Sequence, residues 1–245
     1  MIRVCVAGVT GWTGTAVAAA VEAADDLELV AGVSRSSTYR SVAEALDAVE
    51  ADVVVDFTSA EAVKPNVLAA LDRRVSVVVG SSGLTADDYA EINERARAAS
   101  VGVIAAGNFS VLAALLLRSA TEIARHVPAW EILDYASAGK VDVPSGTARE
   151  LAERLGQAAV GRPLDELVGP REARGATVAG TQIHSLRLPS FVVSTEILFA
   201  ADGERLSIRH DAGESPAPYV AGTLLAVRRV GGLVGLTRGL DSLLT

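Results

Sequence analysis

The chain has 245 residues, is 50% hydrophobic, 21% charged and 4% aromatic, carries a formal net charge of −8 and contains one cysteine. A chain of this length buries most of its unfolded surface without a staple, and the lone Cys5 excludes an internal disulfide and a cysteine-ligated zinc or iron–sulfur site. The acidic balance argues against a nucleic-acid surface, so any bound anion has to be held by local groups. No uncharged apolar run reaches the 18 residues of a membrane span, and Met1 leads directly into a strand-like segment, so a cytoplasmic protein with no membrane partner is expected.

Short β-branched runs at residues 2–7, 27–33, 53–57, 75–79 and 102–105 alternate with alanine-rich stretches of helical spacing at 15–24, 41–49, 61–71 and 86–98. Nearly continuous apolar strands separated by helices predict a parallel sheet covered on both faces, with right-handed crossovers. The fold class is α/β, an N-terminal Rossmann-type doubly wound parallel sheet.

The pattern changes after Asn108. The spacing predicts a helix over 111–125, a strand over 130–135, a loop over 136–146, a helix over 147–155 and a charged, Gly- and Pro-punctuated stretch over 161–175. Strands over 181–188, 191–200 and 204–212 follow, the last two joined by Asp202-Gly203, a tight hairpin signal. These features predict a second α+β domain with a mixed or antiparallel sheet, and the helical segment at 219–230 is expected to dock back on the first domain. The expected division is residues 1–107 with 216–245 as the dinucleotide-binding domain, and 108–215 for substrate binding and oligomerisation.

Gly8-Val9-Thr10-Gly11-Trp12-Thr13-Gly14 lies directly after the first strand and opens the first helix. Glycines there permit a tight turn, approach of a pyrophosphate and close helix–strand packing, and the helix N-terminus supplies oriented N–H donors. Read blandly, it is a glycine-rich turn with no ligand; its place in the first βαβ unit favours a dinucleotide. The second strand ends in Ser34-Arg35-Ser36-Ser37 where NAD sites usually place an acid, and an arginine with hydroxyls suits a 2′-phosphate, so NADPH is favoured with NADH possible. Asp56-Phe57-Thr58, Gly80-Ser81-Ser82-Gly83 and Gly107-Asn108-Phe109-Ser110 also follow strands on the same sheet edge, where a nicotinamide would rest. In the second domain, Ser145-Gly146-Thr147 stands at a helix start and Lys140 adds a point charge, a candidate anion site or an ordinary cap beside a surface lysine. His126 reads as a helix-end charge contact, and His184 and His210 as strand histidines of structural type. No metal-ligand spacing occurs.

These pieces, in this order, resemble the 4-hydroxy-tetrahydrodipicolinate reductase (dihydrodipicolinate reductase) family over almost the full length. The resemblance is carried by the Gly8 to Gly14 loop, Asp56-Phe57-Thr58, Gly80 to Gly83, Asn108-Phe109-Ser110, Lys140 and Pro144-Ser145-Gly146-Thr147-Ala148. It implies a homotetramer built through the sheet of the second domain. It also implies cofactor contacts from Gly8, Gly11, Gly14 and Arg35, with Gly80, Ser82 and Asn108 near the nicotinamide. Thr10, Trp12, Thr13, Ser34, Phe57 and Thr58 belong to the same loops. Lys140, Ser145, Gly146 and Thr147 would hold a substrate carboxylate.

The departures from the family are local. Its Glu-x-His-His-x-x-Lys motif, with a proposed proton donor in the first histidine and a substrate contact in the second, reads here Asp134-Tyr135-Ala136-Ser137-Ala138-Gly139-Lys140. A further family histidine falls near Ser194, and the family's Ser-Arg-x-x-Phe segment loses its arginine over residues 214–219. Two lost charged donors amount to about 3–6 kcal/mol, and a lost general acid to roughly a hundred- to ten-thousandfold in rate. A reductase with an altered acceptor is therefore expected, acting on a small imine, enamine or unsaturated carboxylic acid. Tyr135 is the candidate proton donor, its pKa lowered by Lys140, and Ser137 is a weak substrate contact. The alternatives are the authentic lysine-pathway enzyme and a catalytically silent NADPH-binding or regulatory protein.

Overall fold

The valine-rich runs form strands because β-branched side chains pack well on a pleated surface buried on both faces. The computed structural model describes residues 1–162 and 167–244. In chain order its elements are β1 (Ile2–Ala7), α1 (Trp12–Glu22), β2 (Leu27–Val33), α2 (Val42–Ala48), β3 (Val53–Asp56), α3 (Val63–Leu71), β4 (Ser76–Val79), α4 (Ala86–Ala99) and β5 (Gly102–Ala105). There follow α5 (Val111–Ala124), β6 (Trp130–Ala136), α6 (Gly146–Ala158), β7 (Ala176–Val178), β8 (Thr181–Arg187), β9 (Val193–Ala201), β10 (Glu204–Asp211), α7 (Ala217–Val230) and β11 (Gly235–Arg238). The chain divides into two units, Met1–Val111 with the segment from Pro216 onward, and Leu112–Ser215.

In the first unit the strands pair in parallel in the order β11-β5-β4-β3-β1-β2. All residues of β3, β4 and β5 are buried, as expected for strands with helices on both faces. The chain steps from β1 to β2 on one side and then to β3 on the other, so the strand order reverses between β1 and β3. Ligands of open α/β sheets bind outside the carboxyl ends of strands at such a reversal. Helix α7 packs within this unit: a Cβ on Gly222 would lie 2.0 Å from the Phe109 carbonyl oxygen, a close helix–loop approach that only glycine allows. The edge strand β11, four residues ending in an arginine, carries too weak a pattern to be read from the sequence.

In the second unit the order is β10-β9-β6-β8-β7, with β6 and β8 parallel and the remaining pairs antiparallel. Gly203, at φ +82°, turns the two-residue connection between β9 and β10, as the Asp-Gly signal predicts. Burial alternates along β6, with Trp130, Ile132, Asp134 and Ala136 facing inward. Leu116, Leu117, Leu151 and Leu155 of α5 and α6 cover that face against Ile132, Ile183, Ile197 and Phe199. Of the Gly- and Pro-punctuated stretch, residues 163–166 lie outside the described residues; the described remainder holds a short 3₁₀ turn at Arg171–Arg174 and then β7.

Candidate active site

The turn after β1 gives each of its three glycines a different geometric task. Gly8 sits at φ +84°, receives the reversal of the chain and donates its N–H to the Val33 carbonyl at 2.9 Å. A Cβ on Gly14 would stand 2.0 Å from the Gly8 carbonyl oxygen, so glycine is required there for α1 to pack against the turn. Gly11 is freer, its nearest neighbour to a Cβ being the Gly8 oxygen at 3.1 Å. A tight turn, a middle position without a side chain and close packing are the three demands of a dinucleotide loop. Thr10 and Trp12 are exposed and Thr13 half-buried beside them. Trp12 stands edge-on to Tyr219 at 5.8 Å between ring centroids. At the end of β2, the Ser34 hydroxyl accepts the N–H groups of Ser36 and Ser37, and Arg35 is exposed next to it.

Two further loops are tied together by Asp56, the last residue of β3, which is fully buried. One carboxylate oxygen accepts the Thr58 N–H at 3.1 Å, the Thr58 hydroxyl at 2.8 Å and the Ser81 hydroxyl at 2.6 Å. The other accepts Asn66 Nδ2 at 2.8 Å. Asp56 thereby fixes Thr58 after β3 against Ser81 after β4. Above this tie Phe57 meets Phe109 edge-on at 5.9 Å, and a Cβ on Gly80 would lie 2.1 Å from the Phe57 ring. The Asn108 side-chain oxygen accepts the Ser110 N–H at 2.8 Å, while Ser82 is exposed. The sequence marks this Asp-Phe-Thr turn but not that its acid joins two loops; the available signal is an acid followed two residues later by a hydroxyl.

In the second unit, Lys140 and Asp142 form an ion pair at 2.8 Å, each with 28% of its side chain exposed. The Lys140 N–H donates to the Ser137 carbonyl at 3.0 Å, closing the turn over the exposed residues Ser137, Ala138 and Gly139. Ser145 caps α6, its hydroxyl accepting the Ala148 N–H at 3.2 Å. Its own N–H is already committed, donating to Asp134 Oδ2 at 2.9 Å. Gly146 and Thr147 begin the helix and are half-buried. Arg187 reaches Asp134 Oδ2 at 2.9 Å and the Asp142 carbonyl at 2.7 Å from the same nitrogen. The Ser185 hydroxyl also donates to Asp134 Oδ2, at 3.0 Å. Neither Asp134 nor Arg187 was singled out from the sequence as a site residue; an acid at an inward position of an alternating strand was the available signal.

The expectation for Tyr135 needs correction. Alternation along β6 puts Tyr135 on the face opposite Asp134 and Ala136. Its hydroxyl donates to Glu196 at 3.2 Å, and its ring stacks on Phe191 at 5.2 Å beneath the Arg209 guanidinium. Burial, followed by the Glu196 carboxylate, raises its pKa above the usual phenol value, opposite to the lowering by Lys140 that a proton donor required. Lys140 pairs with Asp142 instead. Among the histidines, His126 lies near Glu122, His184 hydrogen-bonds Glu131 at 2.6 Å, and burial holds His210 below the usual imidazole pKa. Among the described residues no group of three or more His, Cys, Asp or Glu is placed to hold a metal, and no helix is long and apolar enough to cross a membrane.

Residues 2–109 match the family described as dihydrodipicolinate reductase, N-terminus, and residues 110–243 match dihydrodipicolinate reductase, C-terminus. The chain belongs to the dihydrodipicolinate reductase family. It is similar to the 4-hydroxy-tetrahydrodipicolinate reductase of Cutibacterium acnes, 40% identical over 100% of this chain and 99% of the relative. The reductase of that name from Nocardia farcinica is 40% identical over 99% of this chain and 98% of its own length. Among solved structures, a dipicolinate-bound dihydrodipicolinate reductase from Paenisporosarcina sp. TG-14 superposes with a TM-score of 0.80 at 26% identity, covering 99% of both chains. A protein of gentamicin A biosynthesis, solved in complex with NAD, shares the fold at a TM-score of 0.68 and 15% identity, over 99% of this chain and 90% of its own. The chain is thus an oxidoreductase of the dihydrodipicolinate reductase type, and its glycine turn fits a nicotinamide dinucleotide.

Proposed function

We propose that this family member reduces a small cyclic imine carboxylate at the expense of NADPH, with 4-hydroxy-tetrahydrodipicolinate as the first candidate. The observation that carries the reading is a glycine turn meeting all three demands of a dinucleotide loop, in a chain matched end to end by reductases of one name. Gly8, Thr10, Gly11, Trp12, Thr13 and Gly14 would hold the pyrophosphate, and Ser34 with Arg35 a 2′-phosphate, which favours NADPH over NADH. Phe57, Thr58, Gly80, Ser82 and Asn108 would border the nicotinamide. The bound cofactor supplies the hydride. Lys140 orients a substrate carboxylate through its ammonium, with Ser145, Gly146 and Thr147 at the start of α6 and the Ser137 hydroxyl beside them. Tyr135 is not assigned the proton.

A second reading is a related imine or enamine carrying one carboxylate, with 4-hydroxy-tetrahydrodipicolinate a poor substrate. The buried Ala136 and exposed Ser137, in place of the histidine pair, favour it. The test is cofactor oxidation with freshly generated 4-hydroxy-tetrahydrodipicolinate beside an ordinary family enzyme. A rate within tenfold supports the first reading, and one lower by roughly a thousandfold, as loss of a general acid and a charged donor implies, supports the second. Tight NADPH binding with no oxidation across an imine panel would instead point to a silent, regulatory protein. We also read the chain as a cytoplasmic homotetramer. The family resemblance supports this, as does the face of the second sheet opposite the helices, where Leu133, Tyr135 and Leu198 retain exposure.

A further inference from the structure

We infer that Asp134 and Arg187 are positioning residues that clamp the Lys140–Thr147 loop at two points and so set the geometry with which it grips a substrate carboxylate. The inference rests on the reading above, that this loop holds the carboxylate.

The clamp is built from two adjacent strands and one loop. Asp134 on β6 is 0% exposed, and its Oδ2 gathers three donors: the Ser145 N–H at 2.9 Å, the Ser185 hydroxyl at 3.0 Å and Arg187 Nη2 at 2.9 Å. Arg187, at the end of β8, is held in turn by the Asp134 carbonyl at 3.3 Å and the Leu186 carbonyl at 2.9 Å, both through Nη1. Its Nη2 then reaches the Asp142 carbonyl at 2.7 Å. Asp142 is the residue that pairs with Lys140, and Ser145 is the residue that opens α6. One guanidinium and one carboxylate, fixed on rigid strands, thus hold the backbone beside the ammonium and the backbone at the helix start. A planar fork reaches several acceptors at fixed angles, whereas a lysine offers one point charge on a flexible stem.

The arrangement is poorly explained as a stabilising device. Replacing a buried ion pair by packed apolar side chains is often neutral or favourable to stability. This pair also leaves polar atoms unpaired: Asp134 Oδ1, Arg187 Nε and Asp142 Oδ2 are buried with no hydrogen-bond partner. A fourth such atom, Thr195 Oγ1, belongs to the residue directly opposite Asp134 on β9. Buried unpaired polar groups are uncommon in native proteins and gather where function demands them. These four atoms gather on the residues that hold the loop and on a cross-strand neighbour, as expected of a site whose polar groups serve placement.

The test uses the full-length protein saturated with NADPH and, as probe, dipicolinate, whose binding requires no turnover. Calorimetry gives the dipicolinate Kd, and a separate titration gives the NADPH Kd. For Arg187→Lys the dipicolinate Kd is expected to rise ten- to hundredfold with the NADPH Kd unchanged within twofold. Asp134→Asn retains an oxygen for the Ser145 N–H and removes only the charge opposite Arg187; a rise of three- to tenfold is expected. In Lys140→Ala, combining Arg187→Lys should weaken binding by much less than the product of the two single effects, because the group being positioned is gone. An unchanged dipicolinate Kd in Arg187→Lys and Asp134→Asn, alongside a weakened Lys140→Ala, overturns the clamp and leaves the carboxylate site standing. Full multiplicativity with Lys140→Ala, or a parallel loss of NADPH affinity, shows a merely structural role and also overturns it. Should Arg187→Lys fail to fold, the isosteric Asp134→Asn carries the same readout alone. No dipicolinate binding by the parent protein, or none of it lost in Lys140→Ala, refutes the carboxylate site itself and the clamp with it.

Discussion

Asp56→Asn probes the buried tie between the loops after β3 and β4. The amide oxygen of the substituted side chain can keep the three donors of Asp56 Oδ1, namely the Thr58 N–H, the Thr58 hydroxyl and the Ser81 hydroxyl. The amide nitrogen then faces Asn66 Nδ2, donor against donor, where a 2.8 Å hydrogen bond stood. A hydrogen bond to a charged group contributes about 1.5–3 kcal/mol, and an unsatisfied buried donor costs about 1–3 kcal/mol. The expected loss is therefore about 2.5–6 kcal/mol of unfolding free energy, a large fraction of the 5–15 kcal/mol typical of a folded chain. Asn66→Asp alone sets two carboxylates against each other and is also destabilising. Together the substitutions exchange donor and acceptor, and the pair should recover at least half the loss. Urea unfolding of the parent, both singles and the double gives the interaction energy directly, expected at about 2 kcal/mol or more. Thr58 and Ser81 keep their common acceptor in Asp56→Asn, so the NADPH Kd should change little while stability falls. A single variant within about 0.5 kcal/mol of the parent, or a double equal to the sum of the singles, would refute the reasoning.

Tyr135→Phe should leave kcat and the alkaline limb of the pH–rate profile unchanged within threefold, since the hydroxyl is bound to Glu196 on the far face of β6; a hundredfold fall would restore Tyr135 as a proton donor. Gly14→Ala places a methyl group 2.0 Å from the Gly8 carbonyl, so the turn must shift and the NADPH Kd should rise by tenfold or more. Its assay is quenching of Trp12, the exposed one of two tryptophans, the other being buried. His210 is held below its unfolded pKa of about 6.5 by burial, so the unfolded chain takes up that proton first and the native state loses stability as pH falls below about 7. The urea midpoint of the parent should therefore drop between pH 7 and 5.5 more steeply than that of His210→Gln; equal slopes would contradict the shift.

The first unit was legible because its signals are strong and redundant. Runs such as Val53-Val54-Val55 have few places to go except a doubly covered sheet, and three glycines at fixed spacing after β1 mark the turn. The three-residue β7 and four-residue β11 escaped because short edge strands offer neither period nor length. Within the candidate site, charges visible as motifs were found and charges serving through partners were not. Lys140 and the cap at Ser145 stand out in sequence. Arg187 lies 47 positions from Lys140, so nothing local reveals that β8 runs beside β6 and delivers its guanidinium to Asp134. Tyr135 shows the opposite failure: adjacency to Ala136 in sequence suggested a shared cleft, and the two-residue period of a strand places the two side chains on opposite faces.

The measurement that bears most directly on the proposed activity is NADPH oxidation with freshly generated 4-hydroxy-tetrahydrodipicolinate, comparing the parent protein with Lys140→Ala. Substrate-dependent oxidation is expected, with kcat/KM lowered about ten- to a hundredfold in the variant, the worth of one charged hydrogen bond. Tight NADPH binding without any oxidation, or a Lys140→Ala variant as fast as its parent, would contradict the proposed activity.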